Sequence, residues 1–298
     1  MCRWWAPQRL AESALVSDSG PHGVGRSTQG AAVQRITIIN GGTQGLGEAV
    51  ARRLAEQGSA GLVLGGRSVD RGRALSDELS SGGVPTIFVP CDMTDPDAPI
   101  LLVNTCEERF GTVTGVVNVA AATSRSTLFD DTREHVDFQF DMNVKAPYFL
   151  IQAAAKIMVR DGGGSIVNVG STTGHGGQTK LTAYAMSKAA LTVMTKNLAF
   201  GLMRQGIRVN QVNPGWMDTE SEHRVQVEQD GAPENWLEVA ESERPMGRLV
   251  KPWEVANVIE FCLSAESGMM TGNCIDMDQS VQGAGDPPIP AAHDTIFP

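Results

Sequence analysis

The chain is short of aromatic residues, positive charge and long apolar runs, and each shortage removes a class of function. Aromatic side chains make up 5% of the 298 residues, and only two are tyrosines. Lysine and arginine total 24 against 34 aspartates and glutamates, a formal net charge of −10. A nucleic-acid backbone or an anionic membrane surface would repel such a chain, so neither is expected as a partner. No apolar run reaches the roughly 18 residues that a spanning helix needs. The five cysteines (Cys2, Cys91, Cys106, Cys262, Cys274) are scattered and form no CxxC. That pattern fits reduced thiols in a cytoplasmic protein rather than a disulfide framework. The five histidines show no HxxxH or HExxH spacing, so a metal site has no sequence support.

Glycine, at 33 residues, is plentiful, and 41% of the chain is hydrophobic, enough to bury a sizeable core. Residues 1–34 are rich in Gly and Ser with no apolar period and read as a flexible extension. Glu12 and Asp18 spoil a transit peptide there, and no h-region marks a secretory signal. Residues 283–298, "GAGDPPIPAAHDTIFP" with its neighbours, read as a Pro/Gly-rich tail. Between them, residues 35–282 alternate short apolar runs with helical patterns. Strands are expected at 36–40, 61–66, 86–93, 114–121, 164–171, 207–215 and 272–279. Helices are expected at 47–58, 69–81, 100–111, 131–159 (as one long helix), 182–204 and 254–267. Near-continuous apolar strands separated by helices predict an α/β fold. It is a single domain with a doubly wound, Rossmann-like parallel sheet and helices on both faces. The polar, Pro-punctuated stretch 216–250 breaks the rhythm and reads as a mobile loop-helix excursion over the site.

Directly after the first strand stands "NGGTQGLG", residues 40–47, with Gly41, Gly45 and Gly47 in a GxxxGxG spacing. Glycine is needed where the backbone turns sharply and lets a phosphate come close. The helix that opens there offers unpaired N–H groups and a positive dipole end. After the second strand, "LGGRS" places Gly66 where a ribose-binding carboxylate would select NAD, then Arg67 and Ser68. Arginine's planar fork suits the 2′-phosphate of NADP, although no second basic residue appears at Gln44 to assist it. NADP is favoured, with NAD left open.

"AYAMSKAALTVM", residues 183–194, sets Tyr184 and Lys188 one helical turn apart among small side chains. With the glycine turn, "NVAA" after the fourth strand, Ser171, this YxxxK segment and the "NPG" turn at 213–215, the chain resembles the short-chain dehydrogenase/reductase family. Asn40 departs from the family's threonine, and Val119 and Ala121 depart from its NNAG segment. The resemblance implies Tyr184 as general acid/base, Lys188 favouring the phenolate and holding the nicotinamide ribose, and Ser171 bonding the substrate oxygen. It implies that Asn143 holds a water linking Lys188 to solvent. It further implies Gly41, Gln44, Gly45, Leu46 and Gly47 at the pyrophosphate, and Asp92 and Met93 at the adenine. Asn118 and Ala120 would lie beside the adenosine ribose, and Pro214, Gly215, Met217 and Thr219 would flank the nicotinamide. Thr219 could equally cap the next helix. A homodimer or homotetramer through the two long helices is implied as well.

The expected substrate is a small carbonyl compound or secondary alcohol. The segment after "NPG" is strongly acidic, which disfavours an anionic substrate or an acidic carrier protein. Its Trp216 and Trp236 could close over a small organic molecule, while His175 reads as an exposed loop residue. Two rival readings remain open: NAD-dependent oxidation of a sugar or alcohol, and a silent nucleotide-binding scaffold.

Overall fold

The computed structural model describes residues 34–281. The extension expected at 1–34, Gln34 apart, and the tail expected at 283–298 lie outside them. Strand β1 (Ile36–Asn40) is buried at every position, as an apolar run must be in a sheet covered on both faces. After it come α1 (Gly45–Glu56), β2 (Gly61–Gly66), α2 (Val69–Ser81), β3 (Thr86–Pro90), α3 (Ala98–Phe110) and β4 (Gly115–Asn118). The chain continues through α4 (Arg133–Phe140), α5 (Ala146–Arg160), β5 (Gly164–Val169), α6 (Thr182–Leu202) and β6 (Ile207–Pro214). Short helices α7 (Glu220–Arg224) and α8 (Trp236–Ser242) precede α9 (Pro252–Leu263) and β7 (Cys274–Met277).

The strands pair in parallel throughout, in the order β3-β2-β1-β4-β5-β6-β7. Val50, Leu54, Leu75, Leu79, Val255 and Ile259, from α1, α2 and α9, pack together on one face. Leu102, Cys106, Leu150, Ala154 and Ala199, from α3, α5 and α6, pack on the other. The chain steps outward from β1 to β3, then returns to lay β4 on the opposite side of β1. The carboxyl ends of β1 and β4 therefore open into a crevice, where sheets of this kind bind ligands.

Several elements are shorter than expected, each for a local reason. β3 ends at Pro90 rather than 93 because Asp92 turns the chain, its Oδ1 accepting from the Thr94 N–H at 3.0 Å. β4 spans 115–118 rather than 114–121, since the Asn40 carbonyl takes both the Val119 and Ala120 N–H groups at 2.9 Å. β5 stops at Val169, not 171, because Ser171 caps a short 3₁₀ turn, Thr172–His175. β6 ends at Pro214 rather than 215, and β7 is Cys274–Met277 rather than 272–279, following Gly272 at φ +75°. α9 ends at Leu263, not 267, because Ser264 turns extended and caps another 3₁₀ turn.

The largest correction concerns the long helix expected at 131–159. It is α4 and α5 joined by one π-helical turn, Asp141–Lys145. Pro147, in the first turn of α5, explains the break. It has no N–H for the Asn143 carbonyl four residues earlier, so the regular ladder cannot pass through. The stretch 216–250 is better packed than a mobile excursion would be. Trp236, Ala240 and Leu249 form a small core with Trp216, Ala232 and Leu237, and a bridge between Met217 and Val250 ties its neck.

Candidate active site

Four elements bring the expected polar residues to the carboxyl ends of β4 and β5. Ser171 follows β5, with its Oγ accepting from the Thr173 N–H at 3.1 Å. Its hydroxyl faces the phenol of Tyr184, in the first turn of α6, and favours the phenolate there. Tyr184 is half-buried. Lys188 lies one turn on, 2% exposed, and donates from Nζ to the Val169 carbonyl at 2.8 Å. That ammonium stands 5.7 Å from the centre of the Tyr184 ring.

The electrostatics differ from the expectation that lysine pulls the phenol down. Burial pushes Tyr184 up to about 12; the Ser171 hydrogen bond opposes this and the Glu222 charge adds to it. Burial also pulls Lys188 down to about 7. Desolvation disfavours the charged form of each group and prevails in the chain alone.

Asn143 sits in the π turn and is 1% exposed. Its Nδ2 donates to the Ala122 carbonyl and Gln139 Oε1, both at 3.0 Å, and to Ser187 Oγ at 2.9 Å. Its Oδ1 accepts from the Ala122 N–H at 2.9 Å. The side chain is thus fully engaged in holding the β4–α4 loop against α6. Its main-chain carbonyl has no N–H four residues on, because that position is Pro147.

The glycine turn lies at the crevice between β1 and β4. A Cβ on Gly41, at φ +85°, would meet the Ala120 nitrogen at 2.6 Å, and one on Gly47 would meet the Gly41 oxygen at 1.9 Å. Those two glycines are required by the turn itself. Gly45, at φ +54°, has its nearest neighbour only at 3.9 Å, the Thr219 methyl. Gln44 is the N-cap of α1 and makes no side-chain cap, so the first N–H groups of that helix keep their donors free. An open glycine at an uncapped helix start is a cradle that fits a pyrophosphate.

A family model described as enoyl-(acyl carrier protein) reductase matches residues 41–281. A 3-oxoacyl-[acyl-carrier-protein] reductase FabG of Thermotoga maritima is 33% identical over 246 residues, covering 82% of this chain and 96% of the relative. The chain belongs to the short-chain dehydrogenase/reductase family. It is therefore an NAD(P)-dependent oxidoreductase acting on CH–OH or C=O groups. Among solved structures of such enzymes, an actinorhodin polyketide ketoreductase with NADPH is 27% identical with a TM-score of 0.78. That match covers 84% of this chain and 98% of the ketoreductase. An NAD⁺-bound xylitol dehydrogenase is 25% identical with a TM-score of 0.77, covering 83% of this chain and 98% of its own.

Within this reductase-family frame, several expected cofactor residues offer only main chain. The Leu46 and Met93 side chains are buried in the two cores. Asn118, 2% exposed, donates to Asn168 Oδ1 at 2.9 Å. Met217 packs against the core beside α9, and Thr219 caps α7, its hydroxyl accepting from the Glu222 N–H at 3.1 Å. Gly215 is fixed by Asp278, whose Oδ1 would lie 2.1 Å from an added Cβ. Arg67 is exposed, Ser68 makes no cap at the start of α2, and the Asp92 carboxyl is held low first by the Thr94 N–H.

Three features escaped the sequence reading. Trp236 is buried in the small core of the 216–250 segment, or lid, and stacks on Trp216 at 5.8 Å, so it faces its neighbour rather than a substrate. Glu222, in α7, accepts from Trp216 Nε1 and Gln226 Nε2, each at 2.8 Å, and pairs with Arg125 at 3.4 Å. Arg125, from the loop after β4, also pairs with Asp230 at 2.9 Å and so straps the lid down. Charge alternation across such distant segments leaves no periodic signal. Arg71 is the third, and it stands beside Gln44. His175, expected as an exposed loop residue, is exposed and hydrogen-bonds Asp276 at 3.0 Å.

Proposed function

We propose that the chain is an NADP(H)-preferring oxidoreductase that interconverts a small ketone and a secondary alcohol, with Tyr184 as general acid/base. The observation that carries this is Ser171 facing Tyr184 one helical turn from a buried Lys188, beside an open, uncapped glycine turn. A bound nicotinamide supplies the hydride acceptor or donor and, when oxidised, a positive charge beside the phenol. In alcohol oxidation the Tyr184 oxygen takes the hydroxyl proton as the carbinol hydrogen leaves as hydride. Ser171 bonds the same substrate oxygen and steadies its developing charge. Lys188 holds the ribose hydroxyls, and the Asn143 carbonyl holds the water that returns the proton to solvent.

Gly66, Arg67 and Ser68 at the end of β2 support NADP, since no carboxylate stands there for ribose hydroxyls and an exposed arginine does. The Glu222 charge near Tyr184 supports a neutral substrate over an anionic carrier-bound one. Homodimers or homotetramers through α5 and α6 belong to the same proposal. So does a cytoplasmic setting, supported by the unpaired Cys91, Cys106, Cys262 and Cys274.

The test pairs nucleotide titration with turnover. NADPH and NADH are titrated side by side, read by energy transfer from tryptophan to the reduced ring. We expect NADPH to bind at least about tenfold tighter; equal or better NADH binding points to an NAD-dependent dehydrogenase. With a ketone and alcohol panel, Tyr184→Phe should lower kcat by about a hundredfold to ten-thousandfold while leaving NADPH binding intact. A Tyr184→Phe enzyme as fast as the wild type overturns the acid/base role.

A further inference from the structure

A second cation stands beside Gln44, on the helix across the crevice. Arg71 lies in the first turn of α2 and donates from Nη1 to Gln44 Oε1 at 3.1 Å. The same guanidinium grips Glu220 through both oxygens, Nη1 to Oε2 at 3.0 Å and Nη2 to Oε1 at 2.8 Å. Three separate segments meet in this cluster. Gln44 is the N-cap of the glycine turn's helix, Arg71 comes from the stretch after β2, and Glu220 opens the lid. Thr219, the residue before Glu220, lies against Gly45, so the clasp spans the mouth of the nucleotide crevice.

We infer that Arg71 is the second cation of the 2′-phosphate site, held by Glu220 in the free chain and transferred to the phosphate when NADP(H) binds. This rests on the NAD(P) reading above. The adenosine ribose of a bound dinucleotide lies at the end of β2, between that strand and the glycine turn. Arg71 faces the turn from that side, and Arg67 precedes it on the same segment, exposed and without an ion pair among the described residues. The Arg71–Glu220 pair is itself exposed, with side chains 43% and 63% accessible, and such pairs are weakly held. A phosphate monoester offers three acceptor oxygens and near two negative charges, so it outcompetes one solvated carboxylate for the fork. NADH has no group to make that exchange.

The test is nucleotide binding, not turnover. Dissociation constants for NADPH and NADH are measured by tryptophan energy transfer on the full chain. The proteins compared are the wild type, Arg71→Ala, Glu220→Gln, their double variant and Arg67→Ala. Arg71→Ala should weaken NADPH about tenfold and NADH less than about threefold. Glu220→Gln should tighten NADPH about threefold by releasing the arginine, and that gain should vanish in the double variant. Unchanged thermal melting of the free variants separates lost binding from lost folding. Equal weakening of both nucleotides by Arg71→Ala would make the residue a clasp alone and overturn the inference. An unaltered NADPH constant overturns it too, and if Arg67→Ala then still loses the preference, the NADP reading stands without Arg71. A wild type that binds neither nucleotide, or prefers NADH, overturns both.

Discussion

A phenol held up to about 12 and an ammonium held down to about 7 share one face of α6. Both values follow from burial, and both leave a mark on stability. The folded pKa of Lys188 lies below its unfolded value of about 10.4. Between the two, the unfolded chain keeps a proton that the folded chain has released, so stability rises with pH across that window. Tyr184 acts oppositely: its raised folded value gives stability that is present below about 10 and lost as pH climbs toward 12. Urea unfolding of the nucleotide-free protein at pH 7 to 9.5, compared between wild type and Lys188→Met, isolates the lysine, because the thiols that burial raises act alike in both. There Lys188→Met should flatten the rise in unfolding free energy by about 1.4 kcal/mol per pH unit. An identical slope in the variant would show that Lys188 keeps its proton in the folded chain. Spacing read with the family resemblance singled out Tyr184, Lys188 and Ser171, because the proposed chemistry requires those side chains. It could not show that Leu46 and Met93 turn theirs into the core, since a backbone contact with a ligand imposes no pattern on side chains.

Elements were legible where periodicity ruled and obscure where hydrogen-bond exceptions did. The seven strands and most helices follow from apolar runs and glycine stops, yet the α4–α5 junction was hidden inside an unbroken helical pattern. The signal was present at Pro147, which can open a helix but cannot sit undisturbed in its interior. Its consequence is local: Pro147 offers the Asn143 carbonyl no N–H at the regular helical spacing, while side-chain bonds to the Ala122 main chain, Gln139 and Ser187 pin the residue. Pro147→Ala restores an N–H at that position and lets a regular helix compete for the carbonyl. We expect kcat to fall about tenfold or more, with nucleotide binding unchanged, if that carbonyl anchors the proton's exit water. Full activity in Pro147→Ala would show the carbonyl to be idle. The lid teaches a related lesson. Its acidic composition was legible, but the straps from Arg125 to Glu222 and Asp230 depend on a loop about a hundred residues earlier in the chain.

At the scale of the whole molecule, sheet order follows from the alternation of strands and helices plus right-handed crossovers, and the ligand crevice follows from sheet order. What alternation leaves open is which helix faces remain uncovered. On α5, Tyr148, Phe149 and Val159 are 42–48% exposed, and on α6 Val193 and Phe200 are 60% and 78% exposed. Val193 and Phe200 are seven residues apart and lie on one stripe of α6, turned away from the core that Leu191 and Ala199 enter. Exposed large apolar side chains grouped on two helices mark a surface for association. With a net charge of −10, two copies repel at long range, so any association must come from apolar burial and should strengthen as salt screens the charge. We therefore expect dimers or tetramers in sedimentation velocity at moderate salt. Val193→Glu with Phe200→Glu should yield monomers with the near-ultraviolet signature of folded protein. A wild type that sediments as a monomer at every salt concentration would leave these two helix faces open to solvent and end the self-association reading.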